Sequence, residues 1–161
     1  MSINNIIDPA FDFISKIENV KKQVYAAYWD NSRYSIGFGT ISFQGEQISY
    51  EEAKSRCKTA ITEIYNSLEK YQWFNKLSSS RKIAVISYCY QYGVSGFLRR
   101  PTGIAVSTEK DPYYLWSTEN QYSSRRKKEA ELWKMEPVVI FGEKGAVIWI
   151  GLAAIIYFIT K

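Results

Sequence analysis

The strongest constraint in this sequence is an apolar run at helical spacing that gives way, within a dozen residues, to a glycine-bearing strand. From Phe13 to Thr40 the chain reads FISKIENVKKQVYAAYWDNSRYSIGFGT. Ile14, Ile17, Val20, Val24 and Tyr25 recur at the helical period and predict an amphipathic helix over residues 9–27, with Asp8 as N-cap and Pro9 at the first helical position. Glu18 lies beside that apolar face. Desolvation there would raise a carboxyl pKa toward the range a general acid needs. Asp30-Asn31-Ser32-Arg33 reads as a polar turn, and Tyr34 to Thr40 alternates as a short hairpin strand does. Gly37 and Gly39 let the backbone run close to a bound chain or to a neighbouring strand.

Downstream the pattern is helical. Ser49-Tyr50-Glu51-Glu52 is a capping box, and Ala53, Cys57, Ala60, Ile61, Ile64, Leu68 and Tyr71 follow at helical spacing. Ser78 to Ser80 cap a further helix through Ile83, Ala84, Ile86, Cys89 and Tyr90, with Gly93 as its C′ residue. That helix is apolar on nearly every side, so it is expected at the centre of a helical lobe. Residues 98–112 read as a Pro- and Gly-bearing loop, Tyr113 to Trp116 as a short helix, and Ser123 to Trp133 as a last one. The block Arg125 to Lys128 reads as a solvated helix face; attraction to wall or lipid phosphate is the functional alternative.

A length of 161 residues with 46% hydrophobic content suits one compact domain and an appendage. The net charge of +5 favours anionic partners: nucleic acid, a membrane surface or cell-wall carboxylates. Motifs for nucleic-acid binding are lacking, so no nucleic-acid partner is expected. Trp29, Trp73, Trp116, Trp133 and Trp149 suit ordinary core packing better than sugar stacking. The sequence has no histidine, which excludes imidazole-dependent zinc and Cys-His chemistry and leaves carboxylates; no metal or cofactor is expected. Cys57 and Cys89 sit among apolar neighbours as two buried thiols, with a disulfide as the alternative. The N-terminal residues do not resemble a secretory signal.

From Gly145 to Thr160 the chain reads GAVIWIGLAAIIYFIT without a charge, ending in Lys161. At about 1.5 Å per residue this stretch spans roughly 24 Å as a helix, short of a hydrocarbon core of about 30 Å but within reach of local thinning and lysine snorkelling. A transmembrane helix is expected, with a buried C-terminal core helix as the alternative. The basic block Arg125 to Lys128 would keep the preceding domain on the cytoplasmic side.

The Glu18 helix, the acidic turn and Ile36-Gly37-Phe38-Gly39 together resemble the catalytic region of phage-type lysozymes, the endolysins that cleave peptidoglycan glycan strands. In that family a helix-borne Glu precedes an acidic or thiol residue in the turn and a hydroxyl residue before an Ile-Gly-x-Gly strand. Those positions fall on Glu18, Asp30 and Ser35. Ser35 replaces the usual Thr, and the interval from Glu18 to Asp30 is about three residues longer than is common. A second signature, an apolar helix ending in Asn-x-Gly, is similar to Ala84 to Gly93, with Gln91 in place of Asn. Ser123 to Trp133 resembles the Arg-Arg helix that closes family members. The resemblance covers roughly residues 10–135.

The resemblance implies an α+β, lysozyme-like fold: a mainly helical lobe plus a small β-hairpin lobe, followed here by the C-terminal transmembrane helix. The expected domains are a catalytic domain over residues 1–136, a juxtamembrane linker over 137–144 and an anchor over 145–161. It implies a muramidase that cuts the β-1,4 bond between N-acetylmuramic acid and N-acetylglucosamine. Glu18 would act as the acid, Asp30 as the group that orients water or stabilises the transition state, and Ser35 as its helper. Tyr34, Gly37, Gly39 and Gln91 would bind substrate. Two alternatives stay open: a lytic transglycosylase using Glu18 alone, and a non-catalytic, membrane-anchored wall-binding virion protein. The expected partners are bacterial peptidoglycan and, through the C-terminal helix, a viral membrane or the host inner membrane.

Overall fold

A helix that is hydrophobic on nearly every side has to be surrounded, and the stretch from Ile83 to Tyr90 sets the architecture for that reason. In a computed structural model, which describes residues 4–18 and 26–135 and the backbone of 139–141 and 147–149, this stretch belongs to α4 (Ser79–Leu98). Ile83 through Cys89 are buried without a break. Around α4 pack α1 (Asn4–Glu18), α2 (Tyr50–Leu68), α5 (Pro101–Ser107) and α7 (Ser123–Lys134). The short α3 (Gln72–Asn75) rests on α5, and α6 (Tyr113–Ser117) rests on α7. Gly93 (φ 71°, ψ 161°) interrupts α4 as the expected C′ glycine would, but the helix resumes beyond it to Leu98.

The first helix begins at Asn4, upstream of the expected start, and Pro9 lies inside it. Burial of Ile6 and Ile7 alongside Ala10, Phe11 and Ile14 explains the extension. Each fully buried isoleucine contributes about 1.5–3 kcal/mol, enough together to offset the roughly 3 kcal/mol a proline costs inside a helix. Asp8 is therefore no cap; its carboxylate pairs with Lys58 Nζ at 2.6 Å. Val20, Val24 and Tyr25 lie outside the described residues.

The small lobe is an antiparallel sheet of β1 (Tyr28–Asp30), β2 (Arg33–Ile36) and β3 (Thr40–Ser42), in that order. Tyr28 stands opposite Ser35 and Ser35 opposite Ile41; Trp29 stands opposite Tyr34 and Tyr34 opposite Ser42. Ala27 N–H donates to the Glu46 carbonyl at 2.9 Å, bringing the chain beyond the sheet back beside its first strand. Ser49 Oγ then accepts the Glu52 N–H at 3.1 Å and starts α2 as the capping box predicts. Gly37 is required for two reasons. Its φ is +62°, and a Cβ there would stand 2.8 Å from the Cβ of Ala53 on α2.

Two further expectations, the loop over 98–112 and the helix in the tail, are corrected, and that of two buried thiols is met. The loop predicted over 98–112 contains α5, which crosses the end of α4 so closely that a Cβ on Gly103 would overlap the Phe97 carbonyl oxygen at 1.9 Å. Cys57 and Cys89 are both buried and unbridged. In the tail, Val147–Trp149 (β5) pairs antiparallel with Val139–Phe141 (β4), so those three residues are extended where a helix was expected. Among the described residues no helix is long and apolar enough to cross a membrane. The remainder of residues 145–161 lies outside the described residues.

Candidate active site

Glu18 is the last residue of α1, and its carboxylate stands where the two lobes meet. On one side is the glycine-rich turn: a Cβ on Gly39 (φ +87°) would come within 3.3 Å of Glu18 Oε2, so only glycine leaves that oxygen uncrowded. The turn is tied to the helical lobe by Tyr90, whose hydroxyl donates to the Phe38 carbonyl at 3.0 Å. On the other side is Arg125 of α7, whose Nη1 donates to Glu18 Oε1. The apolar wall expected beside Glu18 is thus replaced in part by a guanidinium, and the Glu18 side chain is 20% exposed.

Arg125 itself is buried, and its donors are occupied. Nη1 also donates to Gln91 Oε1 at 3.1 Å, Nη2 to the Ser87 carbonyl at 2.8 Å, and Nε to Glu129 Oε1 at 3.0 Å. Arg126, the next residue, is buried as well, stacked 3.9 Å above the Tyr88 ring, and burial lowers its pKa. The solvated face expected at Arg125 to Lys128 is therefore half wrong. Lys127 and Lys128 are exposed, but the two arginines point inward, where both pair with Glu129 of their own helix and Arg125 also meets Glu18 of α1.

The β-lobe brings Asp30 and Ser35 to one face of the sheet. Ser35 stands opposite Tyr28, and Asp30 lies two residues along the strand from Tyr28. Tyr28 shares that face. Its hydroxyl pKa is pushed up, first by burial and then by the negative charges of Glu18 and of Asp30. Both acids therefore lie within electrostatic reach of one phenol. Asp30 is exposed. Ser35 is buried, and no described group hydrogen-bonds to its Oγ.

The expected substrate-binding residues separate. Gly39 lies against Glu18, and Gln91 touches Arg125. Tyr34 is on the opposite sheet face from Ser35, its ring edge-to-face with Trp29 at 5.1 Å. Gly37 packs on Ala53 of α2, with no room for a side chain between them. Beyond Gly39 a groove of about 750 Å³ runs between β3, α2 and the end of α4, past Thr40, Ile41, Arg56, Tyr90 and Val94. Its size is in the range of ligand sites.

Sequence reasoning passed over Arg125, Glu129 and Tyr28. The i,i+4 spacing of Arg125 and Glu129 was visible, but a helical ion pair is usually solvated. Among the described residues no cluster of side chains could hold a metal ion.

A helical lobe and a three-stranded lobe that meet at a helix-terminal glutamate define a lysozyme-like domain. The chain is similar to the muramidase domain of SpmX from Asticaccaulis excentricus, with a TM-score of 0.69 and 16% identity over 81% of this chain and 98% of that one. It is also similar to the endolysin from Escherichia coli O157:H7 phage FAHEc1, with a TM-score of 0.57 and 18% identity over 78% of this chain and 90% of that one. At these identities the likeness is one of fold. No protein-family model matches the sequence, and comparison with curated proteins yields no match.

Proposed function

We propose that the chain is a peptidoglycan-cleaving glycosidase of the muramidase type. The observation that carries this is the setting of Glu18: fixed by Arg125 and faced by Gly39, which leaves its oxygen uncrowded and itself lines a groove of about 750 Å³. The substrate would be the β-1,4 bond between N-acetylmuramic acid and N-acetylglucosamine. Glu18 protonates the leaving glycosidic oxygen as the C–O bond breaks, and positive charge develops on the ring oxygen and anomeric carbon. Asp30 stabilises that charge or takes the proton of an attacking water. Ser35, a buried hydroxyl with unused hydrogen-bonding capacity, orients that water.

The exposure of Asp30 favours a second reading, in which Glu18 works alone as acid and then as base. The sugar's own hydroxyl then attacks, and the product is an anhydro sugar. Mass spectrometry of wall digests separates the two. Reducing ends support hydrolysis, anhydro ends support a lytic transglycosylase, and muropeptides released equally by Glu18→Gln would remove Glu18 from either. Binding to wall without release of any fragment would favour a non-catalytic, wall-binding virion protein.

The uncharged stretch 145–160 supports the further reading that the domain, over residues 1–136, is held through the linker 137–144 at a viral membrane or the host inner membrane and acts on the wall from there. Flotation of the full chain with phospholipid vesicles tests this. Loss of flotation in Ile155→Arg is the expected outcome, and flotation equal to wild type would sink the anchor.

A further inference from the structure

The buried charges behind Glu18 do not stop at Arg125. Glu129 is fully buried, and its two carboxylate oxygens are the meeting point of two arginines, a serine and a tryptophan. Oε1 accepts from Ser87 Oγ at 2.6 Å and from Arg125 Nε at 3.0 Å. Oε2 accepts from Trp116 Nε1 at 3.0 Å. Arg126 Nη1 lies 2.9 Å from Oε2 but out of line for a hydrogen bond, so that contact is Coulombic.

We propose that Glu129 is a positioning residue for the glycosidase reaction, setting the guanidinium plane of Arg125 and, through it, the place of the Glu18 carboxylate. The proposal rests on the reading of Glu18 as proton donor. Two features of the geometry carry it. First, Arg125 is held edge by edge: Nε on Glu129, Nη2 on Ser87, Nη1 on Glu18 and Gln91. Since a guanidinium is planar, fixing the Nε edge fixes where Nη1 can reach. Second, Ser87 is not an independent anchor. Its hydroxyl donates to Glu129 Oε1 and accepts from Arg125 Nη2 at 3.1 Å, so loss of Glu129 removes the Nε grip and loosens the Ser87 hydroxyl, leaving only the Ser87 carbonyl and Gln91 to hold the plane behind Glu18. A shift of about 1 Å in a reacting group costs on the order of a hundredfold in rate.

The rival explanation is charge balance alone. Arg125 and Arg126 are two buried cations, and Glu129 with Glu18 supplies two anions. A paired design separates the two. Arg126→Met with Glu129→Met removes one cation and one anion, keeping the cluster neutral but deleting the acceptor. Arg126→Met with Glu129→Gln keeps the cluster equally neutral and retains an amide oxygen for Arg125 and Ser87. Both full-length double variants are compared with wild type for muropeptide release from purified sacculi, alongside circular dichroism and melting temperature.

Positioning predicts that the Met/Gln protein retains kcat within about threefold of wild type. It predicts that the Met/Met protein, with the same melting temperature as Met/Gln within a few degrees, falls about a hundredfold in kcat with KM little changed. Equal turnover in the two variants would overturn the proposal. If the Met/Met protein does not fold, Ser87→Ala in the wild-type background replaces it, since it removes only the hydroxyl grip; unchanged kcat there overturns the proposal equally. A wild-type protein that releases nothing overturns the glycosidase reading itself, and the positioning role with it. An active wild type with an equally active Met/Met variant overturns the positioning role alone.

Discussion

The two lobes hold their acidic residues in opposite ways. In the helical lobe, the partner of Glu18 is Arg125, itself buried and bonded through all three of its guanidinium nitrogens. In the β-lobe, Asp30 is exposed on a three-residue strand, beside Trp29 at 61% exposure. The physical difference is dielectric. A charge fixed among buried partners acts at nearly full strength, whereas one at the surface is screened by water and salt. On this comparison the helical lobe holds its carboxylate rigidly, and the sheet supplies a weaker, adjustable group.

The comparison is easiest to break at Glu18. Glu18→Gln is expected to lower muropeptide release by about 10²–10⁴-fold, the usual worth of a general acid. Replacing Glu129 by Leu is expected to destabilise the fold by about 3–5 kcal/mol in urea denaturation, because two buried guanidiniums lose an anion. A loss under about 1 kcal/mol would mean that the cluster is wetter than its geometry implies. Gly37→Val sharpens the account of how the lobes join. A branched side chain at φ +62°, with its Cβ 2.8 Å from Ala53, should cost about 1–3 kcal/mol.

Asp30→Asn tests the weaker partner, and about a tenfold loss of turnover is expected, far less than for Glu18. A loss as large as that of Glu18→Gln would show that the sheet holds its carboxylate as firmly as the helices do. The smallest effect concerns pH. Burial pushes the Cys57 thiol from its ordinary 9.0 to about 11, and burial likewise pushes up Cys89, Tyr88 and Tyr90. Each neutral form is favoured in the folded state, so the Cys57 contribution is complete below about pH 9 and lost as pH rises toward about 11. The urea midpoint should fall between pH 8 and pH 10.5, and a constant midpoint would contradict the burial of these groups in the helical lobe.

Much of the scaffold was legible because it depends on local chemistry. The Ser49 capping box, the serine cap and apolar run of α4 and the turn after Asp30 act through neighbours a few residues away and lie where expected, whereas the strand expected over Tyr34 to Thr40 ends at Ile36 and Gly37 to Gly39 form a turn. The start of α1 was misplaced because Pro9 and Asp8 send a strong local signal, which the burial of Ile6 and Ile7 overrides. A loop was expected over α5 for a similar reason: Gly103 reads as a breaker until its close packing on Phe97 is known.

The sequence by itself determined the parts: a helix bearing Glu18, a short sheet bearing Asp30 and Ser35, and an apolar helix to carry them. Only the tertiary structure decided which charges face inward. Arg125 and Glu18 are 107 positions apart, and Arg125 and Ser87 are 38 apart. Helical periodicity cannot distinguish a solvated Arg-Arg-Lys-Lys face from one whose first two members are buried, because the difference lies in what other elements, such as Glu18, Ser87 and the Tyr88 ring, bring against that face. Local spacing fixes which face of a helix a residue occupies. Whether that face meets water or a carboxylate depends on how the chain packs.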